Sequence, residues 1–225
     1  MRILVGILAI VGLWGSGDAA GLVIDDFTVG AFLLGREGGI PPQTVAATQV
    51  DSTGSAILGG RRDVKLQKLS GSGTQPYVHG VAGVPGLVSY NSNFGCNAIW
   101  TVAYGAGREL GFDLTAEGGS AFEVELHSGD MWSGPRPTPL TIRVWSGSGS
   151  ATVTQDLIAV GTYTYPFADF AGVDFSDVDR IEFEVVQQSE SNDAIDFAFS
   201  CFRTNGDAPT PVDAESWGAL KARFR

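Results

Sequence analysis

Three aspartates that lie inside apolar, strand-forming segments could bind a metal ion. The segment "VIDDFTV" contains Asp25 and Asp26, and "DAIDFAFSC" contains Asp196. Carboxylate oxygens are the ligands that calcium prefers, so these residues predict a calcium site if the first and last strands lie side by side. The spacing of an EF-hand is absent. Two alternatives stay open: the carboxylates accept hydrogen bonds from backbone N–H groups or arginines, and Asp196 simply lies on the outward face of a half-buried strand.

A second set of residues has the chemistry of a sugar site. An aromatic ring packs against the apolar face of a sugar, while charged side chains bond to its hydroxyl groups. The alternation in "AFEVELHS" and "LTIRVWS" places such side chains outward, where Glu182 and Glu184 also lie, and we expect them to share one binding face. The candidates are Trp145, Arg143, Glu125, Glu123 and His127, with Trp132 on an adjacent loop. The alternative is a solvated face of cross-strand Glu and Arg pairs, with Trp145 covered by a loop.

Catalytic motifs are absent from the sequence. It contains two histidines and neither a GxSxG, an HExxH nor a GxxxxGK[ST] pattern. A glycosidase needs only two carboxylates, but with 25 acidic residues some pair will always be close. The sequence therefore favours a protein that is not an enzyme and needs no cofactor.

The two cysteines, Cys96 and Cys201, predict one disulfide if the chain is exported to an oxidising compartment. The alternative is a pair of buried thiols, because free cysteine packs as a small apolar residue. Neither cysteine has the spacing of a zinc or redox motif.

The segment "LGGRRDV" contains the densest positive charge of the sequence, in Arg61 and Arg62. Its two glycines are typical of a hairpin turn or a bulge. The arginines either contact an anion or pair with acidic neighbours.

Clusters of Gly, Ser, Thr and Asn separate many short alternating segments, which indicates strands joined by turns. We predict an all-β fold, a two-sheet antiparallel β-sandwich of jelly-roll type. The segments 36–55 and 127–139 are predicted to be loops, because they are rich in Gly and Pro. The predicted strands are 22–29, 56–59, 63–69, 87–91, 99–104, 109–115, 121–127, 140–145, 151–157, 161–167, 180–187 and 194–202.

The two ends of the sequence differ from this body. Residues 1–19 have one basic residue, an apolar run and small residues at the end, a pattern that predicts a secretory signal peptide. The β-sandwich domain spans 21–204, and 205–225 is predicted to be a linker followed by a short amphipathic helix. We expect export and no membrane span in the mature chain.

The charge excludes some partners. The sequence has 14 Lys and Arg against 25 Asp and Glu, a net charge of −11. Such a surface repels phosphate backbones and anionic lipid headgroups. Nucleic acid is therefore not an expected partner.

The motifs "VIDDFTV", "SAILGGRRDVKL", "GFDLTAEGG" and "DAIDFAF" resemble those of secreted bacterial proteins with galactose-binding-like jelly-roll domains, which include carbohydrate-binding modules. The resemblance covers nearly all of 21–204 and implies the fold more than an activity. The C-terminal "SWGALKARFR" is similar to a short tail, SWGxxKxxFR, found at the ends of otherwise different secreted bacterial proteins. This second resemblance implies sorting or surface attachment.

These observations predict a secreted or cell-surface bacterial module without catalytic activity, whose partner is a polysaccharide or cell-surface glycan. The alternative is a structural protein of the envelope or extracellular matrix that associates with copies of itself and carries a C-terminal sorting tail. An enzyme that cleaves glycosides or esters is the third and least favoured alternative.

Overall fold

The strands form two antiparallel sheets that pack face to face. The computed structural model describes residues 21–29, 32–35, 43–53, 56–70, 76–80, 86–92, 97–107, 109–116, 118–130, 138–187 and 195–206. The signal peptide predicted at 1–19, the C-terminal helix predicted within 205–225, Trp132 and Cys96 lie outside these residues. Among the residues described, no helix has the length and apolar character needed to cross a bilayer.

Within the described residues, sheet A has seven strands in the order β11-β8-β13-β6-β5-β2, and β1 pairs with the 202–203 end of β13, on the same side as β6. Its strands are β1 (Val23–Asp25), β2 (Phe32–Gly35), β5 (Pro76–Gly80), β6 (Val88–Ser92), β8 (Ala121–Gly129), β11 (Gly161–Pro166) and β13 (Ile195–Thr204).

Sheet B, in the part of the chain that the structure describes, has six strands in the order β10-β9-β12-β7-β4-β3. Its strands are β3 (Gln43–Val50), β4 (Arg61–Ser70), β7 (Asn97–Tyr104), β9 (Thr138–Ser146), β10 (Gly149–Leu157) and β12 (Val178–Gln187). The predicted all-β sandwich is confirmed.

The core lies between the two sheets and is rich in aromatic rings. Trp100 and Phe183 of sheet B contact Phe199 of sheet A, with ring centroids 5.9 and 5.0 Å apart. On β8, β9 and β12 the side chains that alternate with the predicted outward residues are all buried; they are Phe122, Val124, Leu126, Leu140, Ile142, Val144, Ile181, Phe183 and Val185. Each such side chain contributes about 1.5–3 kcal/mol by leaving water. The period-two pattern thus identified the core.

Some predicted elements were wrong. Residues 56–59 are not a strand: Leu58–Gly60 form a 3-10 turn, with a φ of 70° at both Gly59 and Gly60. The segment 109–115 contributes only an isolated bridge, from Phe112 to Val178.

Three strands were missed: β2, β3 and β5. Strand β3 falls in a segment predicted to be a loop. The prediction failed there because β3 is an edge strand with few large apolar residues. Strand β5 begins at a proline, which the first position of a strand tolerates. Residues 127–129, also predicted as loop, belong to β8, and Thr138 and Pro139 belong to β9.

Candidate functional site

The outward face of sheet A carries an open groove of about 470 Å³, here called the sheet A groove, on strands β8, β13 and β6. The groove is deep here because the outward side chains along its floor are small: Ser128 pairs with Ala198, and Ala198 pairs with Ser89. Adjacent strands are about 4.8 Å apart, so this row extends about 10 Å across the sheet. The groove is therefore long enough for a ligand of more than one ring.

Polar groups gather along one side of the sheet A groove. The backbone N–H of Asp196 donates to Oδ1 of Asp130 over 2.7 Å, and the N–H of Asp130 donates to the carbonyl of Asp196 over 3.0 Å. Asn91 lies opposite Asp196 in the register of β6 and β13. Two carboxylates and one amide thus line the groove. Such groups can accept hydrogen bonds from hydroxyl groups, and the amide can also donate.

A β-bulge in β8 determines which of its residues form the floor of the groove. Ser128 and Leu126 of β8 pair with the consecutive residues Ala198 and Phe199, which leaves His127 as the extra residue. A bulge shifts which residues of a strand face outward. Leu126 therefore faces the core while His127 and Ser128 are both exposed. Without this shift Ser128 would not pair with Ala198.

The predicted sugar site does not form one face. Glu123, Glu125 and His127 lie on β8 in sheet A, whereas Arg143 and Trp145 lie on β9 in sheet B. All five point away from the core, as expected, but from opposite sides of the sandwich. The expectation of a shared face was wrong because alternation separates inward from outward residues without saying which sheet a strand joins. The sixth candidate, Trp132, lies outside the described residues.

The outward face of sheet B is a set of cross-strand ion pairs. Arg143 donates to Glu182 and to Glu184, both over 2.7 Å. Both bonds raise the pKa of Arg143, and the bond to Glu184 has the larger effect. Arg180 also donates to Glu182, over 2.8 Å, and its guanidinium carbon lies 4.6 Å from the centre of the Trp145 ring. The alternative interpretation of this face, Glu and Arg pairs, is confirmed, and among the described residues Arg180 packs over Trp145.

The three predicted calcium ligands do not come together. Asp25 is buried and accepts hydrogen bonds from Arg62, Tyr104 and the backbone N–H of Phe27. Burial raises the pKa of Asp25, although Arg62 acts in the opposite sense.

Asp26 accepts hydrogen bonds from the backbone N–H and the hydroxyl of Thr28. Asp196 lies in the sheet A groove, six residues along β13 from Phe202, which pairs with Asp25. That is about 20 Å of strand. No group of three or more His, Cys, Asp or Glu suited to a metal ion occurs among the described residues. The shared calcium site was therefore a wrong prediction, and the alternatives stated for Asp25 and Asp196 are what the structure contains.

Cys201 is half-buried on β13, opposite Glu125. It forms no disulfide with any residue that the structure describes, and its predicted partner Cys96 lies outside those residues. Burial raises the pKa of the Cys201 thiol, and Glu125 acts in the same sense. The disulfide stays a prediction.

The "LGGRRDV" segment borders a second cavity, of about 410 Å³, at the other end of the sandwich. Val50, Leu110 and Phe112 contribute its apolar lining and Arg61 and Glu109 its charged groups. Arg61 pairs with Asp63 over 3.0 Å, and Arg62 pairs with Asp25. Pairing with acidic neighbours, rather than contact with an outside anion, accounts for both arginines.

Most residues of the sheet A groove are not indicated by the sequence pattern. The pattern indicates Asp196, as a metal ligand, but not Ser89, Asn91, Ser128, Asp130 or Ala198. Small and polar residues in strands are common, and their meaning here comes from the register of three strands that are distant in sequence. A local sequence signal for such a row does not exist.

The sequence matches no model of a known protein family and no curated protein. Among solved structures it is similar to CtCBM11, with 12% identity and a TM-score of 0.39 over 85% of this chain and 98% of that one. A family 11 carbohydrate-binding module from Clostridium thermocellum in complex with a beta-1,3-1,4-mixed-linked tetrasaccharide is 16% identical, with a TM-score of 0.35 over 84% and 98%. TmCBM61 in complex with beta-1,4-galactotriose is 11% identical, with a TM-score of 0.35 over 73% and 88%. Similarity at this level says nothing about the ligand of this chain.

Proposed function

We propose that this protein is a non-catalytic module that binds a neutral glycan in the sheet A groove. The observation that carries the proposal is the open groove on three strands, with a floor of small side chains and a polar side formed by Asp130, Asp196 and Asn91. Its volume lies within the range of ligand sites, about 300–1,000 Å³.

The chemistry of the groove fits a sugar chain. Hydroxyl groups of a sugar donate to carboxylates, and an amide can both donate and accept. Ser128, Gly129 and Ala198 of the floor are small, so the flat C–H face of a sugar ring can lie against them. The aromatic candidate, Trp132, follows Asp130 by two positions in the sequence.

The charge of the groove selects among glycans. Asp130 and Asp196 are both carboxylates, and the whole chain has a net charge of −11. Like charges repel, and an acidic sugar chain would have to approach this field. A neutral polysaccharide is therefore the proposed ligand.

The setting of the module is proposed from the sequence. The pattern at 1–19 supports export, and the tail within 205–225 supports retention at a cell surface. N-terminal sequencing of the exported protein tests the first idea, with a mature N-terminus near residue 20 as the expected result. Deletion of 212–225 tests the second: an unchanged distribution between cells and medium would remove the sorting role.

The binding proposal is tested by affinity electrophoresis and calorimetry of the full chain against a panel of neutral and acidic polysaccharides. We expect binding to at least one neutral polysaccharide. Asp196→Ala should weaken it by about 10-fold or more, and Asn91→Ala by about 3- to 10-fold, as expected for lost hydrogen bonds to charged and neutral groups.

The matched control is Asp177→Ala, which removes an exposed carboxylate from the turn before β12. Its affinity should equal that of the parent chain. Failure of every neutral polysaccharide to bind would overturn the proposal, and so would equal losses in Asp196→Ala and Asp177→Ala.

A further inference from the structure

Strand β10 is the exposed edge of sheet B. All nine of its residues pair with β9, from Gly149 opposite Ser146 to Leu157 opposite Thr138. On its other side no strand of the described residues pairs with it. An edge strand directs alternate backbone N–H and C=O groups away from its sheet, where another strand can bond to them.

The neighbouring edge of sheet A is partly covered, whereas β10 has little of the usual protection. The side-chain amide of Gln155 donates to the carbonyl of Thr164 on β11 over 2.6 Å, so a group from sheet B covers the edge of sheet A. Edge strands are normally protected by charged side chains, above all lysine, by proline or by a bulge. Strand β10 contains no lysine or proline, its register with β9 has no bulge, and Asp156 is its single charged residue.

Two exposed apolar side chains follow this edge. Ile158 is 69% exposed and Val160 is 55% exposed, in the turn between β10 and β11. The hydroxyl of Tyr163 holds this turn: it accepts from the N–H groups of Ile158 and Ala159 over 2.8 and 3.1 Å, and it donates to the carbonyl of Ala159 over 2.7 Å. The apolar side chains are therefore presented by a fixed backbone.

The charge of this surface favours a second copy as its partner. In a chain with a net charge of −11, the segment 149–160 has one charged residue, Asp156. If two copies of β10 pair antiparallel about Val153, the two Asp156 residues lie about 20 Å apart along the strands. That separation exceeds the screening length of about 8 Å in physiological salt.

We propose that two copies of this chain form a twofold dimer by antiparallel pairing of β10 with β10. The pairing joins the two B sheets edge to edge and places Ile158 and Val160 of each copy beside the turn between β9 and β10 of the other. A twofold axis makes the contact self-complementary and closed. The contact is confined to one strand and one turn, so the dimer is of the weak, concentration-dependent class.

The experiment is sedimentation velocity on the full chain over a concentration series. The expected result is a monomer–dimer equilibrium with no larger species. Thr154→Lys, which adds a charge to the edge, and the double variant Ile158→Ser with Val160→Ser should each weaken dimerisation by 10-fold or more. The serine variant changes only exposed side chains, so it keeps the test valid if Thr154→Lys fails to fold.

The matched control is Val50→Ser, which removes a side chain that is 66% exposed on β3, the opposite edge of sheet B. It should dimerise like the parent chain. Hydrogen exchange provides a second readout, because the amides of β10 should be protected more at high concentration than at low. A monomer at all concentrations, a growing series of larger species, or equal effects of the control and edge variants would each overturn the proposal.

Discussion

Arg62 on β4 and Asp25 on β1 form a buried salt bridge between the two sheets. The Nη1 atom of Arg62 lies 2.6 Å from both carboxylate oxygens of Asp25, and the two side chains are 1% and 0% exposed. The remaining donors of Arg62 bond to the side chain of Gln49 and the carbonyl of Val29. Each of the three guanidinium nitrogens thus has a partner in the interior, and removing Asp25 leaves the buried positive charge uncompensated.

We predict that Asp25→Asn lowers the free energy of unfolding by about 3–5 kcal/mol, because a buried arginine then lacks its counter-charge. Urea unfolding followed by circular dichroism measures this change. The control is Asp63→Asn, which breaks the exposed pair with Arg61 and should change stability by less than about 1 kcal/mol. Similar losses in the two variants would contradict a special role for the buried pair.

A large side chain on the floor of the sheet A groove should block the ligand. Ala198→Phe adds a ring between Ser128 and Ser89 on the outward face, so we expect at least a 10-fold loss of glycan affinity with the fold retained. Thr162→Phe is the control, at an exposed outward position on β11. Calorimetry decides the matter: unchanged affinity in Ala198→Phe places the ligand elsewhere.

Trp145 is predicted to contribute to stability and not to glycan binding. Trp145→Ala removes the contact with Arg180 and part of the apolar surface of sheet B, which should lower the free energy of unfolding by about 1–2 kcal/mol. The affinity for glycan should stay the same, because the groove lies on the other sheet. Loss of affinity in this variant, with stability kept, would return the site to sheet B.

The Cys201 thiol should react only at alkaline pH in reduced protein. The thiolate is the reactive form, and burial raises the pKa of Cys201, so the thiolate population at neutral pH is small. Because the folded state holds this proton more tightly than the unfolded chain, this group opposes folding as pH rises above the usual thiol range of about 8.5.

The measurement is the rate of alkylation against pH in a Cys96→Ser variant, which leaves one thiol. The inflection should lie above that of the same chain unfolded in urea. Coincident inflections would mean that the environment of Cys201 does not shift its pKa.

Gly105 should resist substitution more strongly than Gly107. Both have a positive φ, 81° and 92°, but a Cβ at Gly105 would lie 2.3 Å from the carbonyl oxygen of Asp179, whereas one at Gly107 would meet nothing within 4 Å. Each alanine variant carries the backbone strain of about 1–2 kcal/mol. Chemical unfolding should reveal a clearly larger loss for Gly105→Ala, and equal losses would mean that the backbone at Asp179 moves aside freely.

The sequence alone determined the fold class and the identity of the core. The central parts of β8, β9 and β12 alternate inward apolar residues with outward ones, so the pattern by itself assigns Phe122, Ile142 and Phe183 to the interior. The period of two is a local property of extended backbone, which is why it can be recognised without knowledge of the partner strands.

Only the tertiary structure decided which outward side chains share a face. Arg143 and Glu125 both alternate outward, yet they lie on opposite sheets, because sheet membership depends on pairings between strands that are distant in sequence. Long-range pairing also places Asp25 beside Phe202, at the end of β13 opposite to Asp196. The same kind of pairing aligns Ser128, Ala198 and Ser89 as the floor of the sheet A groove. The bulge at His127 adds a shift of one residue that local alternation cannot reveal.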